Sequence, residues 1–280
     1  LSAPPERVPP DAPEIVPLLS DGAGKAIGTP EGWLEKREAL KRRWMSFLGK
    51  FPSVRAPLRT QVLAREELLD SVREHVKYQI EEGVFADGYL LTPRGRKGKL
   101  PAVVVFHPTV ASHAKQPAGL DPAKPDLAIG VQLVERGYVV LCPRCYIFND
   151  GADYTGNVIL MQEAHADWKG MARMAFDGSR AADLLLSLPG VDPERIGCIG
   201  HSLGAKEVLY AAAFDERYRA AVFSEGGIGL RFSNWDAIWY LSMAIWDPDF
   251  GRDHQEILGL IAPGGHKVFP NELYDLDQVQ

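Results

Sequence analysis

The sequence predicts an α/β fold: a mostly parallel, twisted sheet with helices on both faces and an antiparallel N-terminal edge. Ala102–Phe106 and later apolar runs are continuous rather than alternating, which is typical of strands buried on both faces. Helical patterns separate these runs, and such strand–helix–strand units form parallel sheets. Upstream, two strand-like runs joined by Glu81-Glu82-Gly83 predict an antiparallel hairpin.

The N-terminal elements follow from capping and turn residues. Residues 1–30, rich in proline and glycine, predict an extended arm on a single domain formed by residues 31–280. Thr29 as N-cap and Pro30 at the first helical position predict a helix start, and Gly49 predicts its end. We expect its apolar residues to face the core; they are Trp33, Leu34, Leu40, Trp44 and Leu48.

The later elements alternate between the two periodicities of helix and strand. Helices are predicted at about residues 126–136, 161–187 and 203–213. Strands are predicted at about residues 102–106, 138–142, 195–199 and 220–224. This alternation places several strand ends at one edge of the sheet.

Composition excludes some classes of function. The net charge of −6 over 280 residues argues against nucleic-acid binding, which favours a basic face. No apolar run reaches the roughly 18–20 residues that span a bilayer. No second pair of Cys or His residues has the spacing of a zinc finger. The serine mechanism inferred below implies neither a metal nor an organic cofactor. The opening residues 1–5 would suit a mature secreted or periplasmic protein, and the oligomeric state is left open.

The segment Gly200-His201-Ser202-Leu203-Gly204 carries the clearest chemical signal. It stands between a predicted buried strand and a predicted helix, where G-x-S-x-G forms a sharp turn that exposes the serine hydroxyl. This context predicts the α/β-hydrolase fold with Ser202 as nucleophile. The backbone N–H of Leu203 is then placed to stabilise an oxyanion.

A second oxyanion donor is expected from the loop after the first central strand, His107-Pro108-Thr109. Proline has no N–H, so Thr109 is the candidate. His107 either contacts the substrate or packs and hydrogen-bonds beneath the loop.

A serine nucleophile needs a base, and in this fold the base follows the serine in the chain. His254 lies in a helical pattern that favours a packing or solvated role. His266 lies in the glycine-rich segment Gly264-Gly265-His266, which is typical of the loop that carries the base. His266 is therefore the expected base.

From about residue 31 onwards, the chain resembles the acetyl-xylan-esterase and dienelactone-hydrolase branch of the α/β hydrolases. The resembling stretches are Pro101–Thr109, Arg136–Leu141, Leu188–Ile196, Gly200–Gly204 and Leu260–Pro263. The resemblance implies a serine carboxylic-ester hydrolase acting on a small-molecule or carbohydrate ester.

Parts also resemble the glucuronoyl esterases. The resemblance implies that Lys206 binds substrate, that Glu225 is the triad acid and that Gly264–His266 carries the base. Other carboxylates between Ser202 and His266 remain rivals to Glu225; they are Asp236, Asp247, Asp249 and Asp253. Trp235 is a candidate sugar contact, or else part of a packed lid.

The chain departs from these families in two places. Leu203 stands where glucuronoyl esterases have an arginine that helps to hold the oxyanion. Pro263 is followed at once by Gly264, where both families have further strands and an acid-bearing loop, so a triad aspartate could belong to an absent segment. Two alternatives therefore stay open: a peptidase of the same fold, and a binding protein of this fold without a triad.

Overall fold

The computed structural model describes residues 17–227, 229–262 and 267–270. Its helices are Pro30–Leu48 (α1), Ile129–Glu135 (α2), Tyr154–Ala164 (α3), Gly170–Ser187 (α4), Leu203–Phe214 (α5) and His254–Ile261 (α6). Its strands are Gln61–Glu67 (β1), Ser71–Glu81 (β2), Val84–Pro93 (β3), Leu100–Phe106 (β4), Val139–Pro143 (β5), Val191–His201 (β6), Tyr218–Ser224 (β7) and Lys267–Pro270 (β8).

The strands form one mixed sheet in the order β1-β2-β3-β5-β4-β6-β7-β8. The pairs from β1 to β5 are antiparallel, and those from β5 through β4 to β8 are parallel. The predicted fold class, with its antiparallel N-terminal edge, is confirmed. The strand order reverses at β4, which has β5 on one side and β6 on the other. Ligands of open α/β sheets bind beyond the carboxyl ends of the strands at such a reversal.

The side chains of each strand point alternately to the two faces of the sheet, and helices pack against the apolar side chains on both faces. On β4, Val104 and Phe106 join a core shared with α1, α4, α5 and α6. Val105 points to the opposite face, where the smaller core packs against α2. The sheet is therefore buried on both faces where the parallel strands pair, which explains their continuous apolar runs.

Helix α1 begins as predicted, since the Thr29 side chain accepts a hydrogen bond from the backbone of Gly32. Its predicted inner face is wrong at one position. Leu34 is 53% exposed, and Arg37 is buried instead. The Arg37 guanidinium donates to the Leu260 carbonyl at 3.0 and 3.1 Å, so a charged residue caps the end of α6 from within the core.

The helix predicted over residues 161–187 is two helices, α3 and α4. Between them, the backbone N–H of Lys169 donates to the Leu48 carbonyl at the end of α1. Gly170 then passes so close to the Trp239 backbone that a Cβ there would lie 2.1 Å from its carbonyl oxygen. These tertiary contacts redirect the chain, although the side-chain pattern alone favours one helix.

Candidate active site

The predicted nucleophile elbow is present at the carboxyl end of β6. Ser202 has φ 55° and ψ −115°, a region that residues other than glycine rarely adopt. A Cβ at Gly200 would lie 2.2 Å from the Gly204 carbonyl oxygen, and one at Gly204 would lie 2.2 Å from the Phe106 carbonyl oxygen. Both glycines are therefore required by close backbone approach, which brings the turn against the end of β4.

Helix α5 begins directly after Ser202. The Ser202 N–H donates to the Ser224 carbonyl at 2.9 Å, and the Ser202 carbonyl accepts from Lys206 at 3.2 Å. Leu203 is the first helical residue, so its N–H belongs to the helix end that lacks intrahelical acceptors. Its side chain is fully buried in the larger core, which accounts for an apolar residue where glucuronoyl esterases have arginine.

The loop after β4 is braced from beneath by His107. The buried ring accepts from the Cys145 backbone N–H at Nε2, at 3.1 Å. Its Nδ1–H therefore donates to the Pro108 carbonyl, at 2.7 Å. Burial lowers the pKa of His107 to about 4, so the ring is neutral at neutral pH. Both ring nitrogens bind backbone, which fits the second role considered for His107, packing and hydrogen-bonding beneath the loop rather than contacting the substrate.

Thr109 is exposed at the end of this loop. It lies next to the side chain of Tyr240, which comes from the segment after β7. The expected oxyanion donor thus lies at the carboxyl end of β4, next to the elbow on β6.

Glu225 follows β7 immediately, as predicted, and lies beside the elbow. The parallel register pairs Ser224 with His201, the residue before Ser202. Glu225 has φ 58°, and its carboxylate oxygen lies 3.6 Å from His201 Nε2. Both side chains are partly exposed. Sequence reasoning missed this pair, although the parallel pairing of β6 and β7 could have indicated it.

The rival carboxylates have other surroundings. Asp253 caps α6 by accepting from the backbone of His254 at 2.7 Å. Asp236 accepts from the indole of Trp246 at 3.1 Å. Asp247 accepts from the backbone N–H of Asp249 at 2.8 Å, and both residues are exposed. Glu225 is the carboxylate among these that directly follows a sheet strand.

Lys206 and Trp235 form a buried tie between α5 and the segment after β7. Lys206 is 4% exposed, and its Nζ donates to the Gly226 carbonyl at 2.5 Å and to Ser233 Oγ at 2.9 Å. The same ammonium lies 3.8 Å from the centre of the Trp235 ring. Burial lowers the pKa of Lys206 to about 7.

In this geometry Lys206 and Trp235, the expected substrate contacts, bind groups within the protein. Trp235 is fully buried and donates its indole N–H to the Gly227 carbonyl at 2.7 Å, so it belongs to a packed layer rather than a sugar-facing surface. The donors of Lys206 are used within the protein. The tie holds the backbone next to Glu225 against α5.

The two candidate bases differ in where they lie. His254 is fully buried, and its Nε2 is 2.9 Å from the Tyr210 hydroxyl, which fits the packing role expected from the sequence. His266 lies outside the described residues, and its assignment as base stays a prediction.

Other features of the described residues bear on chemistry. None of their helices combines the length and the apolar character needed to cross a bilayer. Among the same residues, no three His, Cys, Asp or Glu side chains are grouped as metal ligands. Cys142 and Cys145 are buried free thiols.

The chain is similar to known proteins in sequence and in structure. YtaP of Bacillus subtilis (strain 168) is 28% identical over 198 residues, which cover 67% of this chain and 62% of YtaP. A glucuronoyl esterase from Solibacter usitatus superposes with a TM-score of 0.69 at 17% identity, covering 92% of this chain and 79% of that one. A proposed acetyl xylan esterase from Bacteroides fragilis NCTC 9343 gives a TM-score of 0.71 at 15% identity, with coverages of 87% and 69%.

The match to YtaP leaves more than a third of that relative unaligned. The structural likenesses show the α/β-hydrolase fold, at identities too low to show more. The model of the dienelactone hydrolase family matches residues 86–233, which are more than half of the chain. The matched residues include the elbow and Glu225. The chain therefore belongs to the dienelactone hydrolase family.

Proposed function

We propose that the chain is a serine esterase that cleaves carbohydrate-linked carboxylic esters through a covalent acyl-enzyme. The observation that carries the proposal is the elbow: a strained Ser202 between two glycines that cannot be larger, at the start of α5. Strain of this kind costs about 1–3 kcal/mol and concentrates at functional sites. The names of the structural neighbours favour a carbohydrate ester as substrate.

In the proposed reaction, His266 takes the proton of Ser202 Oγ as this oxygen bonds to the ester carbonyl carbon. The carbonyl oxygen becomes an oxyanion, held by the N–H groups of Leu203 and Thr109. The bond to the alcohol then breaks, and the alcohol leaves with the proton from His266. Water attacks the acyl-enzyme by the same route and releases the acid. Glu225 orients His266 and stabilises its charged form.

His107 is the positioning residue for the Thr109 donor. The C=O and N–H groups of a trans peptide point in opposite directions. Because His107 Nδ1–H holds the Pro108 carbonyl, it directs the Thr109 N–H of the same peptide away from the buried ring. The loop thus presents a donor at the edge where the oxyanion forms.

We expect His107→Gln to lower kcat for p-nitrophenyl acetate by about 10- to 100-fold with a smaller change in KM. An oxyanion donor acts mainly in the transition state, and losing one outright costs about 10²–10³-fold. A fall in kcat/KM that came from KM alone would contradict the positioning role.

The same variant has an expected pH signature. The unfolded His107 binds a proton near pH 6.5, whereas the folded ring does so only near pH 4. The unfolded chain therefore binds more protons between these values, and the free energy of unfolding falls as pH falls through this window, by about 3 kcal/mol in total. Urea unfolding at pH 7 and pH 4.5 should show a smaller loss for His107→Gln than for wild type. Equal losses would contradict a neutral buried histidine.

We expect Glu225→Gln to lower kcat by about 10⁴-fold, the loss seen when the acid of a serine triad becomes an amide. The amide keeps the size of the side chain but cannot stabilise the imidazolium, so substrate binding should change little. Glu194→Gln is the matched control, because Glu194 is exposed and its ion pair with Arg219 lies near the amino end of β6. Near-normal turnover of Glu225→Gln would reassign the acid.

The substrate class is tested with four compounds: p-nitrophenyl acetate, acetylated xylotriose, the methyl ester of a glucuronoside and a peptide p-nitroanilide. We expect the esters to be hydrolysed, with kcat/KM for at least one sugar ester above that for p-nitrophenyl acetate. Preferential cleavage of the anilide would contradict the esterase assignment and favour the peptidase alternative.

A further inference from the structure

A cleft of about 660 Å³ lies between the segment after β5 and the segment after β7. Residues 147–155 form one side, and Trp239 forms the other. The volume is in the range of small-molecule sites. The reaction proposed above uses none of these residues.

Aromatic contacts connect the cleft to the loop after β4, residues 107–109, which is called the oxyanion loop below. The ring of Phe148 lies 5.0 Å from that of His107 and 4.9 Å from that of Tyr154. Tyr154 in turn lies 5.8 Å from Trp239, edge to face. On the other side, Trp239 precedes Tyr240, whose side chain lies next to Thr109. Both sides of the cleft therefore reach the loop that carries the proposed oxyanion donor.

The lining combines ring surfaces with oxygen and amide groups. The rings of Phe148, Tyr154 and Trp239 are only partly buried. Around them are a hydroxyl, an amide and two carboxylates, from Thr155, Asn149, Asp150 and Asp153. An apolar surface with a rim of hydrogen-bonding groups suits a sugar ring, which has one apolar face and hydroxyls at its edge.

The charges of the lining exclude an acidic ligand. Among the residues that the structure describes, no lysine or arginine lines the cleft. The nearby Arg144 donates to Asp87 at 2.8 Å and to Asp150 at 3.0 Å, so its charge is already paired. Asp87 and Asp150 together exceed the single positive charge of Arg144, and Asp153 adds a further negative charge. This excess of negative charge repels an anion, whereas carboxylate oxygens accept hydrogen bonds from neutral hydroxyls.

We propose that this cleft binds an uncharged pyranose unit, the sugar part of the ester whose carbonyl reaches Ser202. The role as a substrate subsite rests on the function proposed above, but sugar binding does not require turnover. A sugar bound here lies beside the oxyanion loop, and the selectivity for a sugar ester then comes from the β5 and β7 segments.

The test measures binding of xylotriose by isothermal titration calorimetry to the full chain carrying Ser202→Ala. We expect added Trp239→Ala to weaken binding at least tenfold. Added Trp246→Ala is the matched control and should change binding less than twofold, since Trp246 is exposed on the same segment outside the cleft. If Trp239→Ala unfolds in a thermal melt, Ala152→Trp fills the cleft instead and should abolish binding.

Three results would overturn the subsite: no binding of xylotriose, binding unaffected by the cleft variants, or equally tight binding of trigalacturonate. Hydrolysis of p-nitrophenyl acetate tests the proposed function separately from the subsite, because it depends on Ser202 and needs no bound sugar. Ser202-dependent hydrolysis without xylotriose binding overturns the subsite alone. Xylotriose binding without Ser202-dependent hydrolysis overturns the serine mechanism alone.

Discussion

Replacing Ser202 with alanine is expected to lower kcat for p-nitrophenyl acetate by about 10⁶-fold, the loss typical of removing a serine nucleophile. The hydroxyl lies at the N-terminus of α5, on a turn that depends on Gly200 and Gly204 because backbone atoms lie against both glycines. The change removes one oxygen from a partly exposed side chain. The thermal unfolding temperature should therefore change little.

Ser187→Ala is the matched control for this variant. Ser187 ends α4, where its hydroxyl donates to the Leu184 carbonyl at 2.7 Å, just before the amino end of β6. It lies at the opposite edge of the sheet from Ser202. Activity of Ser202→Ala within tenfold of wild type would contradict the assignment of the nucleophile.

His266→Ala is expected to be nearly as damaging, with a loss of kcat on the order of 10⁶-fold, because serine and histidine of a triad act as a unit. His75→Ala is the control, since His75 lies on β2, and β3, β5 and β4 separate it from β6. Full activity of His266→Ala would leave the base unassigned.

His254→Ala has a different expected consequence. Its ring is buried against Trp235 and the Tyr210 hydroxyl, so its loss should lower the free energy of unfolding by about 2–4 kcal/mol. Turnover per folded molecule should change little. A loss of turnover equal to that of His266→Ala, in folded protein, would make the two histidines indistinguishable as bases.

The sequence predicts the part of the site that depends on backbone geometry. Gly200 and Gly204 have to be small because backbone atoms lie against them, and a motif of fixed spacing records this requirement. Glu225 is placed by the parallel arrangement of β6 and β7, which brings residues after each strand to one edge. Both features can therefore be predicted from the spacing of the motif and from the order of the strands along the chain.

The direction in which a side chain points, and therefore its burial, could not be predicted from the sequence at two of the site positions. Lys206 one turn into a helix and Trp235 in a loop suggest exposed ligands, yet both are buried against each other. From the sequence alone, His107 could bind substrate or support the loop after β4. The backbone groups that bind its two ring nitrogens favour the supporting role. Strand β1 is missed because its residues are exposed on both faces and show no apolar alternation.

The central claim, an accessible and activated Ser202, is tested most directly by labelling the full chain with a fluorophosphonate and locating the adduct by mass spectrometry. We predict one adduct, on the peptide that contains Ser202, and its loss in Ser202→Ala. The rate of labelling should fall in His266→Ala, because the base that activates the hydroxyl is gone. Folded wild-type protein that does not label, or that labels on another residue, would contradict the account.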